Sequence, residues 1–217
     1  MSSGLEAELR DGLGALSHVL SDDQVDQLLA YLDLIGKWGR VYNLTAVREP
    51  REMLTHHVLD SLALVRPLRS MTNNRALALL DVGSGAGLPG VVIAICCPDI
   101  RVDCVDTVAK KAAFIQQVAV TLRLSNLKGV HDRVERLSGN YDVITSRAFA
   151  SLHDFVALSS GVLTEGGVWL AMKGKHPADE IAAMPAATPV FHVEQRKVLG
   201  LDADRCLVWI KRAAAVT

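Results

Sequence analysis

Residues 79–90 read LLDVGSGAGLPG, an apolar run that ends near an acid and then meets glycine at 83, 85 and 87, with a fourth at 90. One or two glycines suffice for the positive φ of a tight turn. An alternating series points instead to a molecule that approaches the backbone where side chains would stand. The apolar stretch VVIAI follows, and Pro89 suits an early helical position before it. Strand, glycine loop and helix thus form one unit. The rest of the chain keeps that rhythm: ALALLDV, RVDCVD, LKGVH, YDVITS and GGVWLAMK alternate with amphipathic stretches around 88–97, 108–124 and 151–163. Strand and helix in succession build a parallel sheet covered on both faces. The last two runs, PVFHVEQRKVL and DRCLVWIKR, flank only GLDA, too short for a helical crossover. They are expected to pair antiparallel. The expected fold is α/β, a doubly wound, mostly parallel Rossmann-like sheet closed by an antiparallel hairpin, over residues 71–217. Ligands on such sheets bind beyond the C-terminal strand ends.

Residues 1–70 read as a helical cap. Ser21 is a plausible N-cap for SDDQVDQLLAYLDLIGKWGR, in which Val25, Leu28, Leu29, Leu32 and Ile35 fall on one helical face. A second helix is expected through PREMLTHHVLDSLALV, with Met53, Leu54, Val58, Leu62 and Val65 inward. Half of the 217 residues are hydrophobic, enough for a sizeable core, and the formal net charge is −1. A polyanion would therefore have to be met by a local basic patch. The four cysteines lie in apolar segments without a C-x-x-C pair, which points to reduced thiols and no metal. Without a run of 18 apolar residues or a signal-type start, a cytoplasmic, membrane-free monomer is expected.

The glycine loop fits two ligand classes. Gly85-x-Gly87-x-x-Gly90 matches the dinucleotide fingerprint, with Asp106 about 20 residues on, but the match begins late relative to the strand end. The other register is Asp81-x-Gly83-x-Gly85-x-Gly87. An acid at the strand tip can receive an ammonium group, and Asp106 at the next tip can accept two ribose hydroxyls. That chemistry suits S-adenosyl-L-methionine (SAM), as in class I methyltransferases, with S-adenosyl-L-homocysteine as product. Register favours SAM. Asp106 also reads as a helix N-cap, and Asp81 as a turn-former.

Four further segments narrow the class: YNLTAV at 42–47, HVLDSL at 57–62, the loop DVGSGAGLPG, and SRAFASL at 146–152. With DRVERL at 132–137 and MKGKHPADEI at 172–181, they resemble the RsmG family from about residue 25 onward. These are bacterial 16S rRNA guanine-N7 methyltransferases, formerly called glucose-inhibited division protein B. The resemblance implies methyl transfer to N7 of guanine 527 in the 530-loop region of the small ribosomal subunit. It also implies SAM contacts at Gly83, Leu88, Val134, Glu135 and Arg147.

Guanine N7 carries an in-plane lone pair and attacks a sulfonium methyl without losing a proton, so no general base is expected. Catalysis then rests on placement and exclusion of water. Arg147 is expected to position the methionine carboxylate or an RNA phosphate, or else to pair with an acid such as Asp154. Lys173 either meets phosphate or ends a strand in solvent. Candidate RNA contacts are Arg40, Asn43, His57, Arg133, Lys173 and Lys175. The basic groups considered are Lys37, Arg40, Arg48 and Arg51 with Trp38 and Tyr42; Arg123, Lys128, Arg133 and Arg136; and Lys173, Lys175 and His176. Competing readings are a methyltransferase acting on a small metabolite, an NAD-dependent oxidoreductase, and a ribosome-assembly factor that holds SAM without turnover.

Overall fold

The computed structural model describes residues 2–42, 44–147, 149 and 151–213, with the backbone alone at 2, 3 and 40–42. Asn43 and the side chains of Arg40 and Tyr42 therefore lie outside the described residues. Seven strands form one sheet: β1 (Leu77–Val82), β2 (Ile100–Asp106), β3 (Leu127–His131), β4 (Tyr141–Ser146), β5 (Leu163–Lys173), β6 (Val190–Arg196) and β7 (Arg205–Lys211). Their order is β3-β2-β1-β4-β5-β7-β6. The first five run parallel, and β7 pairs antiparallel with both β5 and β6. The chain leaves β1 toward β2 on one side and returns to β4 on the other, so a crevice opens where the order reverses.

The period of two decides which residues enter which core. Leu79 joins one buried cluster and its neighbour Leu80 the other. On the first face lie α6 (Gly90–Cys96) and α7 (Ala109–Thr121), together with the N-terminal helices. The second face is covered by α8 (Leu152–Ser159), which Ser151 caps by accepting the Asp154 N–H. Trp169 and Trp209 are fully buried on opposite faces of the sheet.

At the N-terminus, α1 (Ser2–Ala15) and α2 (Asp22–Tyr42) pack through Leu9, Leu13, Val25, Leu28, Leu32 and Ile35, while Leu29 is only half-buried. Ser21 and Gln24 form a reciprocal cap: Gln24 N–H donates to Ser21 Oγ at 3.2 Å, and Ser21 N–H donates to Gln24 Oε1 at 3.1 Å. The next helical segment departs from regular pitch. It runs as α3 (Pro50–Met53), a π-helical stretch Leu54–Leu59 and α4 (Asp60–Leu62), followed by α5 (Val65–Met71). Met53, Leu54, Val58, Leu62 and Val65 are buried as expected. The widened turns also bury His57, Asp60 and Ser61. Such bulges recur at functional sites.

Candidate ligand crevice at the strand ends

The parallel strands carry the loops after β1, β2, β3 and β4 to one edge of the sheet. Gly83, Gly85 and Gly87 have φ of +66°, +60° and +89°, the left-handed region that favours glycine. Their surroundings differ. A Cβ on Gly83 or Gly85 would meet no atom within 4 Å. One on Gly87 would fall 2.4 Å from Val91 Cγ2, and one on Gly90 would fall 2.3 Å from Cys104 Sγ. The first two glycines leave bare backbone facing open space; Gly87 lets the loop fold onto the first turn of α6, and Gly90 lets α6 pack close to the sheet. Leu88 has its side chain in the core.

The loop is held from both sides. Asp106 Oδ2 accepts the Gly85 N–H at 3.0 Å, and its Oδ1 accepts the Val108 N–H at 2.9 Å. Lys111 Nζ lies 3.6 Å from the same carboxylate. Val108, not Asp106, is the N-cap of α7, so Asp106 precedes the helix and its carboxylate braces the glycine loop. From α2, the buried Tyr31 hydroxyl donates to the Ala86 carbonyl at 2.7 Å. Tyr31 escaped the sequence reading, although 28, 31, 32 and 35 share one helical face.

Asp81 is fully buried. Its Oδ2 accepts the Gly90 N–H at 2.8 Å, while Oδ1 has no partner. Burial pushes its carboxyl up to about 7, against the Gly90 hydrogen bond and the Arg147 charge and with help from Asp106. Ser84 Oγ and Ser146 Oγ, from the loops after β1 and at the end of β4, are also buried without partners. Unmet polar groups of this kind call for a polar ligand or water.

Arg147 follows β4. Its Nη1 donates to the His56 carbonyl at 2.9 Å and stands 3.5 Å from Asp60 Oδ2. The acid beside it is thus Asp60; Asp154 takes the Ser151 hydroxyl instead. Asp60 Oδ1 receives Arg205 Nε at 2.6 Å, so one buried carboxylate joins α4, the β4 tip and the start of β7. Neighbouring His57 shares a 2.7 Å hydrogen bond between Nε2 and Thr45 Oγ1. Burial, then the Arg147 charge, lowers its imidazole to about 4, so it is neutral near pH 7.

These two groups set opposite pH slopes. Asp81 has its folded value raised, so the stability it confers is complete below about pH 4 and is lost as pH rises through about 7. His57 has its folded value depressed; its contribution is present above about 6.5 and is lost as pH falls through about 4. Asp81→Asn removes the first slope and keeps the second. Its stability relative to the wild type is expected to improve from pH 5 to pH 7.5 in urea melts of ligand-free protein; parallel profiles would contradict the assignment.

Val134 is buried and Glu135 exposed in a 3₁₀ turn, Val134–Arg136, after β3. Arg133 and Lys175 are exposed. Lys173 at the β5 tip is held by Glu180 at 2.9 Å. Of the first basic group, Lys37 pairs with Asp33 and Arg51 with Glu8. Trp38 packs against Phe114 of α7, with ring centroids 5.5 Å apart, and so serves the core. The cysteines are free thiols, with Cys97 pushed up to about 11 by burial. No helix among the described residues is long and apolar enough to cross a membrane.

Residues 24–208 match the model of the GidB family, described as rRNA small subunit methyltransferase G. The chain belongs to this family. A ribosomal RNA small subunit methyltransferase G from Albidiferax ferrireducens is 63% identical over 97% of this chain and 98% of its own length. Among solved structures, TrmN from Thermus thermophilus superposes with a TM-score of 0.58 at 17% identity. That likeness covers 74% of this chain and about half, 53%, of the other. A SAM-dependent methyltransferase from Geobacter sulfurreducens, in complex with S-adenosyl-L-homocysteine, has a TM-score of 0.53 at 10% identity, covering 69% and 90%. Both share the class I SAM methyltransferase fold. The family segments meet in space: Thr45 of YNLTAV bonds His57 of HVLDSL, and Arg147 of SRAFASL lies beside Asp60.

Proposed function

We propose that the protein transfers the methyl group of SAM to N7 of guanine 527 in 16S rRNA of the small ribosomal subunit. The observation that carries the cofactor half is the open backbone at Gly83 and Gly85, set between the carboxyls of Asp81 and Asp106. Asp106 retains lone pairs for ribose hydroxyls, and the unpartnered Asp81 Oδ1 suits an ammonium group, directly or through water. Gly87, Leu88, Val134, Glu135 and Arg147 complete the proposed cofactor contacts. SAM supplies an electrophilic methyl on a sulfonium sulfur.

The protein's own part is positional. Guanine N7 attacks with its lone pair, and no proton leaves, which accords with a neutral His57 and the absence of a base–nucleophile pair from the mechanism. The purine gains positive charge as the bond forms. Arg147 beside Asp60 is charge-compensated, which limits its repulsion of that ring while its remaining donors fix carboxylate or phosphate. In this reading residues 1–70 cap a SAM domain of residues 71–217. Arg40, Asn43, His57, Arg133 and Lys175 are proposed RNA contacts, with Lys173 available on release from Glu180. The protein acts as a cytoplasmic monomer.

An NAD-dependent reading fits less well. The Gly90 N–H at the start of α6 is already taken by Asp81, and a carboxylate there opposes a pyrophosphate. SAM at 100 times its Kd is expected to stabilise the fold by about 2.7 kcal/mol. A thermal shift with NAD but none with SAM would overturn the cofactor assignment.

A further inference from the structure

A polar groove of about 740 Å³ lies between the end of α1, α5 and the edge strand β6, outside the ligand crevice. Arg66, Arg196, Lys197, His18 and His192 line it, with Glu194 as its acid. Glu194 is spent within the protein: it pairs with Arg196 at 2.5 Å and accepts Trp209 Nε1 at 3.4 Å. Arg66 and Lys197 are exposed and make no ion pair among the described residues. In a chain of net charge −1, this is a local concentration of uncompensated positive charge. By contrast, Lys37, Arg51 and Lys173 of the basic groups singled out from the sequence face carboxylates.

The groove is rooted on the crevice. Arg196 pairs in register with Arg205, Arg205 bonds Asp60, and Asp60 stands beside Arg147. On the other wall, His18 Nε2 contacts the Leu62 carbonyl at the end of α4, one turn before Arg66. Arg196 and Lys197 therefore close β6 at the same sheet edge as the crevice, and the groove begins beside it. Cations spaced along such a groove suit phosphates, and imidazole planes suit unstacked bases.

We infer that the groove between α1, α5 and β6 is a second RNA-binding surface that holds the phosphate backbone of the strand flanking the target guanine. The inference rests on the rRNA reading above and extends it to a surface outside the crevice. The test is the double variant Arg66→Gln/Lys197→Gln, compared with the charge-preserving Arg66→Lys/Lys197→Arg. Binding to unmethylated small subunits and to the protein-free rRNA fragment around the target is measured across salt concentrations. Loss of two phosphate contacts makes log K against log salt shallower by about 1.4, at about 0.7 per contact on single strands. KM for RNA rises, while kcat, SAM affinity and melting temperature hold. The charge-preserving variant keeps the wild-type slope.

An unchanged slope in the neutral variant overturns the inference. A slope that changes on subunits but not on protein-free RNA also overturns it, in favour of an acidic ribosomal protein. Binding is read independently of turnover. If the wild type binds RNA with the expected slopes but methylates none of it, the proposed reaction falls and the groove stands.

Discussion

Asp60→Ala is expected to destabilise the fold by about 3 kcal/mol, the lower end of the range for breaking a buried ion pair. The lower end applies because Arg147 and Arg205 keep 24% and 22% of their side chains exposed. Asp60 itself is 3% exposed and meets a guanidinium at each oxygen. Removal leaves two neighbouring cations without the charge between them. The same change frees Arg147 from its acidic partner and sets its charge nearer the methyl acceptor, so kcat is expected to fall more than SAM affinity. Asp60→Asn keeps one acceptor and loses the charge. It should retain part of the stability, through the short bond to Arg205, but little of the activity. Urea midpoints with single-turnover rates separate the two effects. A stable, fully active Asp60→Ala protein would remove Asp60 from the positioning of Arg147.

Gly83→Ala and Gly90→Ala are expected to fail in opposite ways. At Gly90 the added methyl meets Cys104 Sγ at 2.3 Å and Asp81 Oδ2 at 2.9 Å, both buried where α6 packs on β1 and β2. Overpacking of this kind costs about 1–3 kcal/mol, and displacement of Asp81 adds to it. At Gly83 the methyl meets nothing, and the left-handed φ costs about 1–2 kcal/mol. Its methyl occupies the space offered to the ligand, so SAM affinity should drop at least tenfold. Chemical denaturation and calorimetric titration of both variants give the comparison. Unchanged SAM binding in Gly83→Ala would deny that the bare backbone serves the cofactor.

The sheet was legible because its signals are local. Short apolar runs mark most of the strands, GLDA is too short for a crossover, and the Ser21 cap lies beside the helix it starts. The strand tips bearing Asp81, Asp106 and Arg147 followed from parallel topology alone. What escaped depends on residues remote in sequence. Gly87 and Gly90 look like Gly83 and Gly85 until Val91 and Cys104 are packed against them. Tyr31 reads as a core aromatic, and only the folded chain brings its hydroxyl to Ala86. Asp60 lies 87 residues from Arg147 and 145 from Arg205, so no spacing rule joins them. Trp38 stood among the residues of the first basic group, yet it packs on Phe114 of a distant helix. The π-helical stretch was hidden because apolar positions at helical spacing tolerate one widened turn.

The most direct measurement uses SAM labelled in its methyl group, incubated with small ribosomal subunits that lack this modification. Digestion of the rRNA then identifies the labelled nucleoside. Label in 7-methylguanosine, mapped to guanine 527, is the result this account requires. No label in the rRNA, from protein shown to bind SAM, would contradict it, and label in a metabolite pool would put a small-molecule acceptor in its place.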